Sequence, residues 1–219
     1  MDRGFDYRVF PSRAPGAPLV VFLADHGEGE QVLSALAELG ALDLSLAVIG
    51  GFDWNRDLSP WPAPGVMKGG GDFAGGADDF LDRLTAALPE IAAALPQAPA
   101  YMALAGYSLA GLCAVYAAYR ADAFTRFASA SGSFWYPGFL DFARTQPFRR
   151  VPERVYVSVG DREARTRNPR MQPVEENTRQ LAAWYAEQGI ETCFELNPGN
   201  HFQDPAGRMA RGILWMVQG

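Results

Sequence analysis

The sequence predicts an α/β fold in which a mainly parallel β-sheet lies between helices on both of its faces, in three layers. Short apolar runs alternate with segments of helical periodicity along most of the chain, as in repeated strand and helix units. The run LVVFL at residues 19–23 is continuously apolar, as expected of a strand that is covered on both faces. The carboxyl ends of such strands meet at one edge of the sheet, where we expect the functional residues.

The elements follow one another regularly along the chain. Apolar runs predict strands, the first of them at a sheet edge because a proline-rich segment ends it. These strands are residues 7–10, 19–23, 44–49, 101–105, 126–130, 155–159 and 192–196. Periodicity predicts helices at residues 32–39, 77–95, directly after Ser108, at 173–188 and at 206–217. Pro89 is expected to kink or split the second of these helices.

Length and charge limit the kind of protein. A chain of 219 residues, 48% of them hydrophobic, can bury a large core, and we expect residues 1–219 to form a single domain. A formal net charge of -6 with scattered arginines argues against binding of nucleic acid. Residues 1–13 lack the apolar centre of a signal peptide, and no run approaches the ~18 apolar residues of a membrane span. We therefore expect a cytoplasmic protein with no membrane partner.

The cysteines and histidines predict neither a metal site nor a cofactor. Cys113 and Cys193 lack C-x-x-C spacing and are interpreted as ordinary buried thiols. His26 and His201 stand in no H-E-x-x-H motif and in no Cys/His cluster. Any chemistry must then be carried by ordinary side chains.

A serine stands where strand, turn and helix meet, in the segment Gly106-Tyr107-Ser108-Leu109-Ala110-Gly111. In this context a Gly-x-Ser-x-Gly pattern predicts a nucleophile elbow, whose sharp turn exposes the serine oxygen at the sheet edge. Ala110 occupies the second glycine position, and we expect its methyl group to be tolerated. The backbone N–H of Leu109, at the helix N-terminus, is a candidate oxyanion donor. The alternative is a serine that only caps the helix.

A second oxyanion donor is expected after the strand at residues 19–23. Asp25-His26-Gly27 follows that strand, and the backbone N–H of His26 or Gly27 suits this role. We expect the ring of His26 to be a partly exposed turn residue without a part in proton transfer.

The general base and its acid are sought after the later strands. His201 lies in a glycine-containing loop after the last strand, and an acidic turn follows the strand at residues 155–159. This gives the chain order serine, acid, histidine, in which the histidine accepts the serine proton and the acid orients the imidazole. Glu163 is favoured as the acid because it lies deeper in the turn, with Asp161 as the alternative.

Candidate substrate contacts come from two loops and from the elbow. Residues 50–76 form a long segment predicted to be irregular, and long loops in compact domains often line a site. Its Arg56 and Asp57 are either substrate contacts or residues that hold the loop. Phe134 and Trp135 follow a strand and either wall an open aromatic cleft at the sheet edge or belong to the core. Tyr107, which precedes the serine, is a further candidate contact.

With these motifs placed, the chain resembles the putative-esterase branch of the α/β-hydrolases, and within it the enterochelin (siderophore) esterases. The resemblance runs from about residue 19 to residue 215 and is carried by the elbow, Ser131-Gly132-Ser133-Phe134-Trp135, the glycine-acid turn at 160–163 and Gly199-Asn200-His201. It implies the α/β-hydrolase fold and hydrolysis of a small-molecule ester through Ser108 and His201. The family's glycine-x-x-acid pattern falls on Glu163 and implies that this residue is the acid.

Two function classes remain open at this level. One is a serine hydrolase that cleaves carboxylic esters through an acyl-enzyme, and the other is an acyltransferase or a catalytically silent relative that keeps the fold. Retention of both Ser108 and His201 favours the hydrolase.

Overall fold

The computed structural model describes residues 5–24, 27–40, 43–67 and 69–218. Its main sheet has seven strands in the order β1-β3-β2-β6-β7-β8-β9. β1 is an antiparallel edge strand on β3, and the other neighbours pair in parallel. The strands are β1 Asp6–Phe10, β2 Leu19–Leu23, β3 Ser45–Gly50, β6 Met102–Tyr107, β7 Arg126–Ala130, β8 Arg154–Gly160 and β9 Glu191–Asn197. β4 Pro62–Ala63 and β5 Phe73–Ala74 form a separate two-stranded ribbon.

Helices cover both faces of the sheet. They are α1 Glu28–Glu38, α2 Trp54–Asp57, α3 Ala77–Ala93, α4 Leu109–Tyr116, α5 Phe139–Thr145, α6 Val174–Glu187 and α7 Pro205–Val217, and a 3-10 turn Ala117–Tyr119 extends α4. Successive strand residues point to opposite faces. Val21 of β2 therefore packs in the core that contains α3, α4 and α6, whereas Phe22 packs in the core that contains α1 and α7. The predicted three-layer α/β-hydrolase fold is confirmed.

The structure narrows one local expectation and corrects another. Of the two effects expected of Pro89, a kink or a split, the split is excluded, because α3 runs continuously from Ala77 to Ala93 with Pro89 on its exposed side. The segment at residues 50–76 is not wholly irregular, since it contains α2 and the β4–β5 ribbon. In the described part of the chain, no helix is both long and apolar enough to cross a membrane.

Candidate active site

Ser108 lies in the sharp turn between β6 and α4, at the carboxyl edge of the sheet. Its backbone has φ 58° and ψ -122°, a region that non-glycine residues rarely adopt and that costs free energy unless the surroundings enforce it. The Ser108 N–H donates to the carbonyl of Ala130 at 3.1 Å, and its carbonyl accepts from the Ser133 N–H at 3.0 Å. The neighbouring strand end thus holds the serine in the elbow conformation.

The glycines of the elbow allow β6 and α4 to approach closely. A Cβ atom at Gly106 would overlap the backbone carbonyl of Ala110, and one at Gly111 would lie 2.6 Å from Oγ of Ser129. Ala110 itself is fully buried, so the fold accommodates its methyl group. The close approach of β6 and α4 requires glycine at positions 106 and 111 but not at position 110. The motif therefore tolerates Ala110.

His201 lies between Ser108 and Glu163. Its Nε2 is 3.0 Å from Oγ of Ser108, and its Nδ1 is 2.7 Å from Oε2 of Glu163. When Nδ1 carries the proton and donates it to the carboxylate, Nε2 can accept a proton from the serine. The His201 side chain keeps 26% of its surface exposed and Glu163 only 4%, so the chain of hydrogen bonds runs from the surface inward.

Glu163 is held by donors from several strand ends. Its Oε1 accepts hydrogen bonds from the Gly160 N–H at 2.7 Å, Oγ of Ser131 at 2.8 Å and Nη1 of Arg208 at 3.0 Å. Burial by itself raises the pKa of the Glu163 carboxyl, but the hydrogen bonds, that from His201 foremost, outweigh it and hold the pKa below its ordinary value. Glu163 is therefore ionised at neutral pH.

Asp161 has a different place. Its Oδ1 accepts a hydrogen bond from the Gly199 N–H at 2.7 Å, and its backbone N–H donates to the carbonyl of Asn197 at 2.8 Å. It therefore ties the loop of His201 to the end of β8, and it does not contact the imidazole. The geometry agrees with the choice of Glu163 over Asp161.

Tyr107 also holds the histidine loop. Its hydroxyl donates to the backbone carbonyl of His201 at 2.7 Å, and the centroids of the two rings are 5.4 Å apart. This contact, rather than a substrate contact, is what the described residues show for the Tyr107 hydroxyl.

The candidate oxyanion donors lie at adjacent strand ends. Leu109 is the first residue of α4, so its N–H has no acceptor within the helix. Gly27 caps α1 with φ 87°, and it follows β2, the neighbour of β6. His26, the other predicted donor, lies outside the described residues.

Of the two alternatives for Asp57, the contacts of its carboxylate favour a residue that holds the loop. Only 5% of its side chain is exposed, and it accepts hydrogen bonds from Nε and Nη2 of Arg56 at 2.9 and 3.1 Å. The Asp53 N–H donates to it at 2.9 Å, and Arg83 lies at 3.5 Å. Burial raises the pKa of Asp57, but these partners outweigh it and leave the pKa below its ordinary value. Arg56 is 58% exposed and can still reach a ligand.

The two predicted aromatic contacts behave differently. Phe134 is fully buried and packs against Phe139, with ring centroids 5.7 Å apart, so of its two alternatives it belongs to the core and does not wall an open cleft. Trp135 is partly exposed and lies 6.0 Å from Phe73, a residue of the 50–76 segment. Trp135 alone of this pair can face a substrate.

Sequence reasoning missed three residues next to the proposed triad: Ser131, Arg208 and Phe202. Ser131 adopts φ 48° and contacts Glu163. Phe202 follows His201 directly, is 81% exposed, and meets the imidazole edge to face at 5.3 Å. Arg208 gave a signal in the sequence, because it stands four residues before the buried Gly212 on the core-facing stripe of α7.

The fold is of the α/β-hydrolase class, and at its sheet edge Ser108 of the elbow lies next to His201 and Glu163 from later strand ends. A family model described as Putative esterase matches residues 22–204, and the chain belongs to this family. The family model identifies the chain as an ester hydrolase of this class. The uncharacterized protein YbbA of Bacillus subtilis (strain 168) is 26% identical over 182 residues, which are 78% of this chain and 73% of YbbA.

Solved structures share the fold at low identity. The siderophore hydrolase EstB from Aspergillus nidulans has a TM-score of 0.71 and 19% identity, over 94% of this chain and 85% of EstB. An IroE-like serine hydrolase from Shewanella oneidensis has a TM-score of 0.75 and 16% identity, over 95% of this chain and 74% of that protein. These structures confirm the fold, and the family model confirms the assignment to the putative-esterase branch.

Proposed function

We propose that the protein is a serine esterase that cleaves carboxylic esters through an acyl-enzyme formed on Ser108. The observation that carries this proposal is the unbroken line of hydrogen-bonding distances from Ser108 through His201 to Glu163. A serine hydroxyl is a poor nucleophile by itself, and a base at 3.0 Å that is oriented by a buried carboxylate supplies the missing activation.

In the acylation step, Oγ of Ser108 attacks the ester carbonyl carbon while its proton passes to Nε2 of His201. The carbonyl π electrons move to the oxygen, which becomes an oxyanion between the N–H group of Leu109 and that of His26 or Gly27. The intermediate then expels the alkoxide, which takes the proton from His201 and leaves as the alcohol. The Glu163 carboxylate stabilises the imidazolium that exists between these two transfers.

Deacylation repeats the sequence with water. His201 takes one proton from the water as its oxygen attacks the acyl carbon, and returns that proton to Oγ of Ser108 as the acid product leaves. The side chain of His201 is 26% exposed, so the base is not sealed off from solvent. The chemistry uses side chains and backbone donors only, and we propose no cofactor.

The substrate we propose is a small-molecule ester with an aromatic or siderophore-like acyl group. Two solved proteins of the same fold are a siderophore hydrolase and an IroE-like serine hydrolase. Trp135 and the exposed ring of Phe202 offer aromatic faces near the proposed triad, and Arg56 is an exposed cation. Such groups suit planar aromatic and acidic oxygen-bearing substrates better than long flexible chains.

A fluorophosphonate probe tests the nucleophile. The probe should label the wild-type protein at Ser108, and Ser108→Ala should abolish labelling and lower kcat for a short-chain aryl ester by at least about 10³-fold. Mass spectrometry of the labelled peptide identifies the residue. An unlabelled wild-type protein would indicate the silent relative, and turnover by Ser108→Ala near that of wild type would refute the acyl-enzyme.

A further inference from the structure

Arg208 is a buried cation beside the proposed triad. Its side chain is 1% exposed, although it carries a full positive charge. Nη1 lies 3.0 Å from Oε1 of Glu163 and 3.0 Å from Oγ of Ser131, and Nη2 donates to the carbonyl of Pro198 at 2.8 Å. A buried charge is costly unless it is paired and hydrogen-bonded, so these contacts fix where the guanidinium lies.

The partners of Arg208 come from the segments that build the site. Glu163 follows β8, Ser131 follows β7, and Pro198 begins the loop that carries His201. A Cβ atom at Gly160 would lie 3.0 Å from both Nη1 and Nη2 of Arg208 and would overlap the carbonyl of Gly199. The absence of a side chain at Gly160 thus leaves the space through which α7 reaches the acid.

We propose that Arg208 is a positioning residue for the ester hydrolysis, which holds Oε1 of Glu163 so that Oε2 stays directed at His201. This inference rests on the proposed function. With Oε1 engaged by Arg208, Ser131 and the Gly160 N–H, the carboxylate is fixed in rotation. The same guanidinium holds the histidine loop through Pro198, so one side chain sets the spacing of acid and base.

The charge of Arg208 has a second consequence. A neighbouring cation favours the ionised carboxylate and opposes the imidazolium, so removing it should make both Glu163 and His201 take up protons more readily. The charged or titratable groups around Glu163 are His201 from the loop after β9, Arg208 from α7, Tyr107 from β6, and Asp161 with its partner Arg162 in the same turn. Arg208 is the cation in direct contact with the carboxylate among the described residues.

The test measures kcat and KM for p-nitrophenyl butyrate from pH 5 to pH 9. In Arg208→Met, kcat should fall by about tenfold or more while KM changes by less than about threefold, and the acidic limb of kcat/KM should move up by about one pH unit. Arg208→Lys keeps the charge but cannot reach Glu163 and Pro198 together. It should restore the limb to within about 0.3 pH units of wild type and still lower kcat by about threefold.

Arg211→Met is the matched control. Arg211 lies on the same helix, pairs with Glu195 and Asp204, and donates to Oδ1 of Asn197 at 2.6 Å; its contacts among the described residues do not include the proposed triad. Its removal should leave the position of the acidic limb unchanged. An equal shift in Arg211→Met would assign the effect to general charge and overturn the inference.

A double-mutant cycle separates positioning from stability. If Arg208 acts through Glu163, Arg208→Met should cause little further loss of kcat in the Glu163→Gln background, whereas an equal fold-loss of kcat in both backgrounds would overturn the inference. If Arg208→Met does not fold, the inference is tested with Arg208→Lys. A wild-type kcat in that variant would contradict positioning of Glu163 by the guanidinium group. Ser108→Ala is measured in parallel: if it stays active, the proposed function itself fails, and if it is inactive while Arg208→Met behaves as wild type, only this inference fails.

Discussion

Two buried carboxylates of this protein, Asp57 and Glu163, have similar surroundings and different uses. Each has a side chain that is at most 5% exposed, and each is paired with arginine and with a backbone N–H. The pKa of each lies below its ordinary value, because hydrogen-bonded partners outweigh the effect of burial. By charge and burial alone, the cluster around Asp57 and the cluster around Glu163 could not be distinguished.

The difference lies in the remaining partner. Both oxygens of Asp57 are engaged by Arg56, so this carboxylate fixes the start of the 50–76 segment. Glu163 uses one oxygen for such contacts and directs the other to a histidine whose second nitrogen faces a serine. A buried carboxylate that is paired only with arginine and backbone groups therefore indicates a structural role. A carboxylate that also contacts a histidine within reach of a serine indicates a role in catalysis.

The largest effect that distinguishes the two clusters is expected at His201. His201→Ala should lower kcat for p-nitrophenyl butyrate by at least about 10³-fold, as Ser108→Ala does, because the base is lost. His26→Ala is the control and should keep much of the activity if only its backbone N–H is used. Steady-state kinetics on folded protein measure both, and a larger loss at His26 would contradict the assignment.

The next effect compares the acids directly. Glu163→Gln should lower kcat by about 10²- to 10⁴-fold, because the amide cannot stabilise the imidazolium. Asp161→Asn keeps an oxygen that can accept from the Gly199 N–H and should cost less than about tenfold. If Asp161→Asn has the larger effect on kcat, Asp161 is the functional acid and the comparison with Asp57 must be redrawn.

Asp57→Asn should change stability and leave chemistry intact. We expect the free energy of unfolding at pH 7 to fall by about 2 kcal/mol or more, because arginine partners lose their buried anion. The folded-state pKa of Asp57 is depressed, so its contribution is fully present above the unfolded pKa of about 4 and is lost as pH falls through the folded pKa. Urea unfolding of wild type and variant should therefore converge at acid pH.

The activity of Asp57→Asn completes that test. The kcat of the folded variant should stay within about threefold of wild type, since Asp57 contacts neither His201 nor Ser108 in the described part of the chain. A loss comparable to that of Glu163→Gln would remove the distinction between a structural and a catalytic cluster.

The smallest expected effect concerns substrate choice. Trp135→Ala and Arg56→Ala should each lower kcat/KM for aroyl and catecholate esters by several-fold relative to acetyl and butyryl esters, through loss of an aromatic face or a cation. The measurement compares these esters and an octanoyl ester in wild type and both variants. Preference for the octanoyl ester, or unchanged selectivity in both variants, would mean that these residues only support the loop.

Much of the candidate site could be predicted because it depends on local sequence. The elbow at Ser108 follows from a strand, a tight turn and a helix in succession, and the position of His201 follows from a loop after the last strand. In a parallel sheet these ends must lie at one edge, so chain order is enough to bring them together. The choice of Glu163 over Asp161 depended on depth within one turn, which the spacing indicated.

Other residues could not be assigned in this way. Phe134 and Trp135 are adjacent aromatic residues, and the sequence does not distinguish which of them is a substrate contact. In the structure Phe134 packs against α5 and belongs to the core, whereas Trp135 is partly exposed. The α5 helix that creates this difference was itself not predicted.

The sequence by itself determined the order of strands and helices, the elbow and the edge at which serine, acid and histidine lie, because apolar periodicity and turn residues act over short distances. Only the tertiary structure decided that Asp57 pairs with Arg83, and that Arg208 reaches Glu163 across 45 residues of chain. Such pairings between distant segments depend on how helices cross the sheet, and no local pattern records that geometry.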